Sequence, residues 1–109
     1  MNLQIHAKDV TLNDRTKAHI ESAIGSFKKY KLDVTTTNVN IAKQKKGVLV
    51  EFDFHIAHAQ PVVINQVDDS LEAAIDLVIQ RASEALRRLH DKATTKNSNS
   101  IKDLEVLED

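Results

Sequence analysis

Apolar and polar residues alternate at the start of the chain and then change to a helical spacing. Within residues 2–8 the two kinds of side chain alternate, which is the period of a half-buried strand. From Asn13 onward, apolar residues recur every three or four positions, and Asn13 and Asp14 suit an N-cap and a first helical turn. The pattern predicts a strand followed by a helix over about residues 14–30.

Three further strands are predicted after this helix. Val39 and Ile41 alternate with asparagines, and "QKKG" is typical of a turn. The following segment, "VLVEFDFHIAH", places its phenylalanines on one face and its charged residues on the other, as in a hairpin with one buried and one solvent-exposed face. After Pro61, "VVINQV" is short and β-branched, which favours another strand. One sheet therefore accounts for most of the centre of the chain.

A second amphipathic helix is predicted over about residues 70–92, with Asp69 as its N-cap and Glu72 completing a capping box. Its apolar stripe should form core and consists of Leu71, Ile75, Val78, Ile79, Ala82, Leu86 and Leu89. The order β-α-β-β-β-α predicts an α+β domain in which two helices pack on one face of a four-stranded, largely antiparallel sheet. This order matches the double-stranded-RNA-binding architecture, which recognises shape and backbone more than bases.

Charge separates the chain into two parts. The 109 residues include 15 basic and 16 acidic side chains, and residues 97–109 hold four of the acids with one base. The preceding segment, "KATTKNSNS", is polar and without periodicity, as is typical of a linker. We therefore expect a folded domain over residues 1–93 and a flexible acidic tail over residues 94–109.

The amino-acid composition limits the cellular locations and the kinds of reaction chemistry that are expected for this protein. The chain has no cysteine, which excludes disulfides, thiolate nucleophiles and cysteine-ligated zinc. The N-terminus lacks the pattern of a signal peptide, and no apolar run approaches the roughly 20 residues that span a bilayer. We expect a cytoplasmic protein that does not associate with membranes.

Catalytic patterns are weak. His55 and His58 in "HIAH" would point to opposite faces of a strand and could not share a metal ion. Asp53 and His55 share a face and could touch, which on an exposed sheet is more typical of a polar contact than of an acid/base couple. There is no phosphate-binding glycine loop and no nucleophile elbow. We expect that the protein is not an enzyme and that it has no cofactor, metal site or small-molecule substrate. A small enzyme that uses the sheet histidines is the least favoured alternative.

Basic residues recur along the predicted helices. At about 100° per residue, Arg81, Arg88 and Lys92 form a row beside the apolar stripe of the second helix, and Arg87 projects on the other side. The first helix carries basic residues on one flank as well, so two packed helices could pool their flanks into one basic surface. Clustered cations of this kind suit phosphate binding.

A plainer interpretation of the same residues stays open. Lysines and arginines on exposed helix faces often serve solubility and pair with nearby acids, and here Glu84 and Asp91 are available as partners. The charges alone do not decide between the two interpretations.

The residues resemble those of the ribosome hibernation promoting factor and protein Y family. The resemblance covers nearly the whole domain and rests on "AAID" at the start of the second helix, followed by Arg81, Leu86, Arg88 and Lys92. Lys8 after the first strand, "HIESAIGSFKKY" in the first helix and "IAKQKKG" at the hairpin are similar to the family as well.

This resemblance implies a monomeric inhibitor of translation that binds the small ribosomal subunit and its rRNA in the channel used by mRNA and tRNA. It would inactivate ribosomes in stationary phase or stress. The RNA contacts that the resemblance implies are Lys8, Lys17, Lys29, Arg81, Arg88 and Lys92. Local charge adds Lys28, Lys31 and Arg87 as further candidates. Each would hold a phosphate without reading sequence.

Two residues depart from the family pattern. Glu84 stands where members often have a basic residue, which should weaken the RNA-binding face. Glu72 stands where they often have tyrosine, which removes an aromatic side chain near the helix start. The alternative function is an α/β protein-protein interaction module that does not bind RNA.

Overall fold

The computed structural model describes residues 2–98 and confirms the predicted order of strands and helices. The elements are β1 (Asn2–Lys8), α1 (Asp14–Ser26), a short 3₁₀ helix η1 (Phe27–Tyr30), β2 (Val34–Gln44), β3 (Gly47–Ile56), β4 (Val62–Asp68) and α2 (Leu71–Ser98). Within this part of the chain, neither helix has the combination of length and apolar character that crossing a bilayer requires.

The four strands form one mixed sheet in the order β1-β2-β3-β4. Strands β1 and β2 are parallel, whereas β2, β3 and β4 pair antiparallel. Parallel neighbours need a long crossover, which α1 supplies, and antiparallel neighbours need only short loops. The predicted four-stranded sheet is therefore confirmed.

The core lies between the sheet and the two helices. Phe54 is at its centre, with edge-on contacts to Phe27 and Phe52 at ring-centroid distances of 5.9 and 6.0 Å. The predicted stripe of α2 faces this core: its Ile75, Val78, Ala82 and Leu86 are buried, and its other members are partly buried against them. Aromatic pairs in this geometry add to the stability that burial provides.

The two helix starts differ in how well the sequence predicts them. The Asn13 side chain accepts a hydrogen bond from the Thr16 backbone N–H at 2.8 Å, which confirms it as the N-cap of α1. The prediction of Asp69 as the cap of α2 is wrong, because the Ser70 hydroxyl accepts from the Ala73 N–H at 3.3 Å. Strand β4 stays paired through Asp68, so the chain turns at Asp69 and the helix begins one residue later.

The far end of α2 lies beyond the predicted end at residue 92. The helix continues to Ser98, since no glycine or proline after Pro61 interrupts it. Residues 94–98, which the sequence assigns to the tail, are thus helical. Residues 99–109 lie outside the described residues, and the flexible acidic tail stays a prediction.

Candidate nucleic-acid interface

The predicted RNA contacts are all exposed, and most of them lie at one end of the molecule. We call this end the basic end; its members are Lys28, Lys29, Lys31, Arg87, Arg88 and Lys92. It forms where η1 packs against α2, with Tyr30 bonded to Ser83. Lys8 lies toward the opposite end, paired with Ala42 near the β2–β3 hairpin.

Tyr30 fixes η1 to α2 at the basic end. Its hydroxyl shares a part-buried hydrogen bond with the hydroxyl of Ser83. The Tyr30 ring lies 6.2 Å from the ring of Phe27, and the Lys29 ammonium nitrogen lies 5.3 Å from the Tyr30 centroid. A cation at this distance from an aromatic face is attracted to it. One side chain therefore joins the core, α2 and a predicted RNA contact.

Two of the cations, Lys31 and Lys92, line the same surface groove, which we call the end groove. Its lining residues are Lys31, Leu32, Asp33, Ile56, Ala57, His58, Ala59, Leu89 and Lys92. The apolar members form the floor, and the exposed Lys31, His58 and Lys92 lie around it.

His58 belongs to this groove because β3 ends earlier than the sequence suggests. The predicted strand included His58, but β3 ends at Ile56 and His58 lies in the following turn with a left-handed backbone, φ 62°. That prediction is wrong, and the strand argument about His55 and His58 does not apply. Lys31, across the groove, has a left-handed backbone as well, with φ 55°. Conformations of this kind are uncommon outside glycine, although histidine tolerates them better than most residues.

The cations form no close ion pairs with carboxylates in the part of the chain that the structure describes. Among the side chains of residues 2–92, no lysine or arginine forms an ion pair, and both ion pairs involve histidine. Glu84 and Asp91 are therefore not paired with arginines here, and the plainer interpretation, in which the exposed cations serve solubility, stays open.

Arg81 differs from the other cations in being tied to the sheet. Its Nη1 donates to the backbone oxygen of Asn65 at 2.7 Å and to the side-chain oxygen of Gln66 at 3.0 Å. Both acceptors lie on β4, the edge strand beside α2. Arg81 therefore contributes to the fold, whereas Arg88 and Lys92 lie farther along the same flank.

The basic flanks of the two helices do not pool into one surface. His19 of α1 contacts Asp76 of α2, with 3.0 Å between Nε2 and Oδ1. The side of α1 that carries His19 therefore faces the side of α2 that carries Asp76. At about 100° per residue, Lys17 is rotated roughly 160° from His19 and points away from α2. Arg81 points toward β4 instead. The prediction of a shared surface is wrong along the helices, because the two flanks face outward on opposite sides.

The uncovered face of the sheet carries the other histidine pair. Nε2 of His55 lies 3.3 Å from Oδ2 of Asp53, which confirms that these two side chains touch. The second oxygen of Asp53 is buried without a hydrogen-bond partner, and the neighbouring Asn40 amide donates to Glu51 at 3.2 Å. Within residues 2–98, no three histidine or carboxylate side chains gather as a metal site would need.

Sequence reasoning missed the contacts that join distant segments. Tyr30 and Ser83 are 53 positions apart, and His19 and Asp76 are 57 positions apart. Neither pair has a local pattern that marks it. The periodicity of the helices predicts which face of each helix is buried, and it does not say which side chains of the two helices meet.

Comparison with known proteins gives a family match and a fold match. Residues 3–94 match the family described as sigma 54 modulation protein / S30EA ribosomal protein. No curated protein sequence gives a significant match.

Two solved structures share the fold at low sequence identity. The N-terminal domain of Protein Y from Thermus thermophilus superposes with a TM-score of 0.71 at 20% identity, covering 82% of this chain and 99% of that domain. A ribosomal subunit interface protein from Coxiella burnetii gives 0.69 at 11% identity, covering 82% of this chain and 97% of that one. At these identities the similarity establishes the fold.

Proposed function

The chain belongs to the sigma 54 modulation protein / S30EA ribosomal protein family, and from that premise we propose that it is a ribosome-associated inhibitor of translation. It binds the small subunit in the mRNA/tRNA channel through rRNA phosphates and inactivates ribosomes in stationary phase or stress. It acts in the cytoplasm as a monomer and without a cofactor. The two structural neighbours support this proposal, since one is a Protein Y domain and the other a ribosomal subunit interface protein.

The observation that carries the proposal is the unpaired state of the basic end. Its cations are exposed, and none forms an ion pair with a carboxylate within residues 2–92. Backbone recognition of folded RNA needs such clustered cations and little base contact. A chain that is nearly neutral overall can bind phosphate in this way because local charge decides the interaction.

The basic end also explains how binding would inhibit translation. A rigid domain whose cations hold rRNA phosphates occupies the volume that mRNA and tRNA would need. Inhibition then requires no chemistry, and the two histidine pairs take no catalytic role. Arg88 and Lys92 are the most useful residues to test, because neither has a contact with β4 like that of Arg81.

Co-sedimentation with purified small ribosomal subunits tests the proposal. We expect the wild-type chain to pellet with the subunits and Arg88→Glu/Lys92→Glu to remain largely in the supernatant. Lys45→Glu/Lys46→Glu is the matched control, since it makes the same charge change in the hairpin turn, at the other end of the sheet. This control should retain most of its binding.

Two results would reject parts of the proposal. Failure of the wild-type chain to pellet would reject binding to the small subunit. Equal pelleting of the wild type and Arg88→Glu/Lys92→Glu would reject the basic end as the contact surface.

A protein-protein interaction module is the second candidate, and one observation favours it. Val63 and Val67 of β4 are 49% and 41% exposed and lie on the uncovered face of the sheet, opposite Asp53 and Leu49. Binding through these valines would persist at high salt, because apolar contacts are not screened by ions.

A further inference from the structure

The end groove has a composition that suits an acidic peptide with apolar side chains. Ile56 and Leu89 contribute to an apolar floor, while Lys31, Lys92 and His58 supply a basic rim. Asp33 is the single acidic residue of the lining. A ligand for this groove must therefore offer hydrophobic groups to the floor and carboxylates to the rim.

The last segment of the chain has this chemistry. Residues 99–109 read "NSIKDLEVLED" and contain Ile101, Leu104, Val106 and Leu107 between the acids Asp103, Glu105, Glu108 and Asp109. Lys102 is their only base. The acidic residues of this segment are complementary to the basic rim of the groove, and its apolar residues are complementary to the apolar floor.

The segment is also close enough to reach the groove. Helix α2 ends at Ser98, and the six residues from Lys92 to Ser98 advance about 9 Å along the helix axis at 1.5 Å per residue. An extended chain spans up to about 3.5 Å per residue, so the five residues from Ser98 to Asp103 cover roughly 17 Å. The first acid can thus return to Lys92, and the later ones can pass along the groove.

We propose that residues 99–109 bind in the end groove of the same molecule. Their carboxylates pair with Lys31 and Lys92, and their apolar side chains cover the floor beside Leu89. The hollow between α1 and α2 suits this segment less well, because its lining has two carboxylates, Glu72 and Asp76, against one arginine, Arg15. Charge and shape together therefore select the end groove.

Binding of this segment has a consequence for RNA, which rests on the proposed function. Lys31 and Lys92 cannot hold the acidic segment and rRNA phosphates at the same time. The segment would then lower the affinity for RNA until a stronger polyanion displaces it. The docking itself is independent of ribosome binding, because it takes place in the isolated protein.

Nuclear magnetic resonance of the isolated chain tests the docking. The full-length protein is compared with a chain that ends at Ser98, at several protein concentrations. We expect the amide signals of Ala57, His58, Ala59 and Leu89 to shift on truncation, and those of Leu49 and Val67, at the other end of the sheet, to stay in place. The shifts should be the same at every concentration.

Two outcomes of this experiment would overturn the proposal. Unchanged signals around the end groove would show that the segment does not bind there. Shifts that grow with protein concentration would show that the groove takes the segment of a second copy. Neither outcome bears on ribosome binding, which is measured separately by co-sedimentation.

A peptide experiment identifies the groove residues. A synthetic peptide of residues 99–109 is titrated into the truncated chain, where it should reproduce the shifts. Lys31→Gln/Lys92→Gln should weaken peptide binding about tenfold, since two exposed ion pairs are lost. Lys45→Gln/Lys46→Gln, which removes the same charge at the hairpin, should leave it unchanged; equal weakening by both variants would contradict the assignment of the groove.

Discussion

Gly47 lies where the backbone of a neighbouring segment leaves no room for a side chain. Its φ is +139°, and a Cβ atom added there would lie 2.2 Å from the backbone oxygen of Asp68. Glycine alone adopts this conformation without strain. The residue thus allows the β2–β3 hairpin to close against the end of β4.

Replacement of Gly47 by alanine should lower the free energy of unfolding by about 1 to 3 kcal/mol, because the new side chain is strained and meets backbone. Gly25→Ala is the matched control. Gly25 lies in α1, and nothing stands within 4 Å of an added Cβ. This substitution should raise the free energy of unfolding by about 0.5 to 1 kcal/mol. Urea denaturation of both variants measures the two effects, and a Gly47→Ala protein as stable as the wild type would contradict the account.

Individual residues show what sequence can and cannot predict at this scale. Asn13 is predicted correctly because it is followed directly by the helical pattern. At α2 the sequence offers Asp68, Asp69 and Ser70 in succession, and each is a good cap. The choice of Ser70 depends on how far β4 remains paired with β3, which is a property of the sheet.

At the scale of elements, α2 and β4 are joined by the Arg81 side chain. β4 is the last strand of the sheet, and edge strands leave backbone groups without partners. Arg81 donates a hydrogen bond to a backbone group of this strand, the Asn65 oxygen, at 2.7 Å. The arginine that the family resemblance assigns to RNA thus also protects the edge of the sheet.

Replacement of Arg81 by alanine should lower the free energy of unfolding by about 1 kcal/mol, since its hydrogen bonds to Asn65 and Gln66 on β4 are exchanged for bonds to water. Arg88→Ala, seven residues along the same flank, should change it by less than about 0.5 kcal/mol. Denaturation together with amide hydrogen exchange of β4 checks both values. Equal stability of the two variants would show that the Arg81 contact does not hold the strand.

Element order could be predicted because periodicity reports which positions are buried. The alternation in residues 48–56 gives the buried face of β3, with Val50, Phe52, Phe54 and Ile56 all in the core. The candidate site could be predicted only as a set of exposed cations. Their grouping depends on the packing of η1 against α2 and on the end of β3, and neither leaves a signal in the local sequence.

At the scale of the whole molecule, charge is distributed by end. The basic end collects cations from η1, from the residue after it and from α2, while the acids of residues 97–109 follow in the sequence. A near-neutral chain can therefore carry a local cluster of cations, and we propose that this cluster binds rRNA phosphates. Within residues 2–92 no arginine forms an ion pair with Glu84, and the weakening that this departure should cause stays a prediction.

The salt dependence of affinity for the purified small ribosomal subunit tests the central claim most directly. If the six cations of the basic end replace counterions on rRNA, affinity should fall on the order of 1,000-fold between about 50 and 200 mM monovalent salt. Arg88→Gln/Lys92→Gln should reduce the slope of log affinity against log salt by about 2, one for each lost phosphate contact. An affinity that hardly changes with salt, or a slope that is the same in the wild type and the variant, would contradict the account.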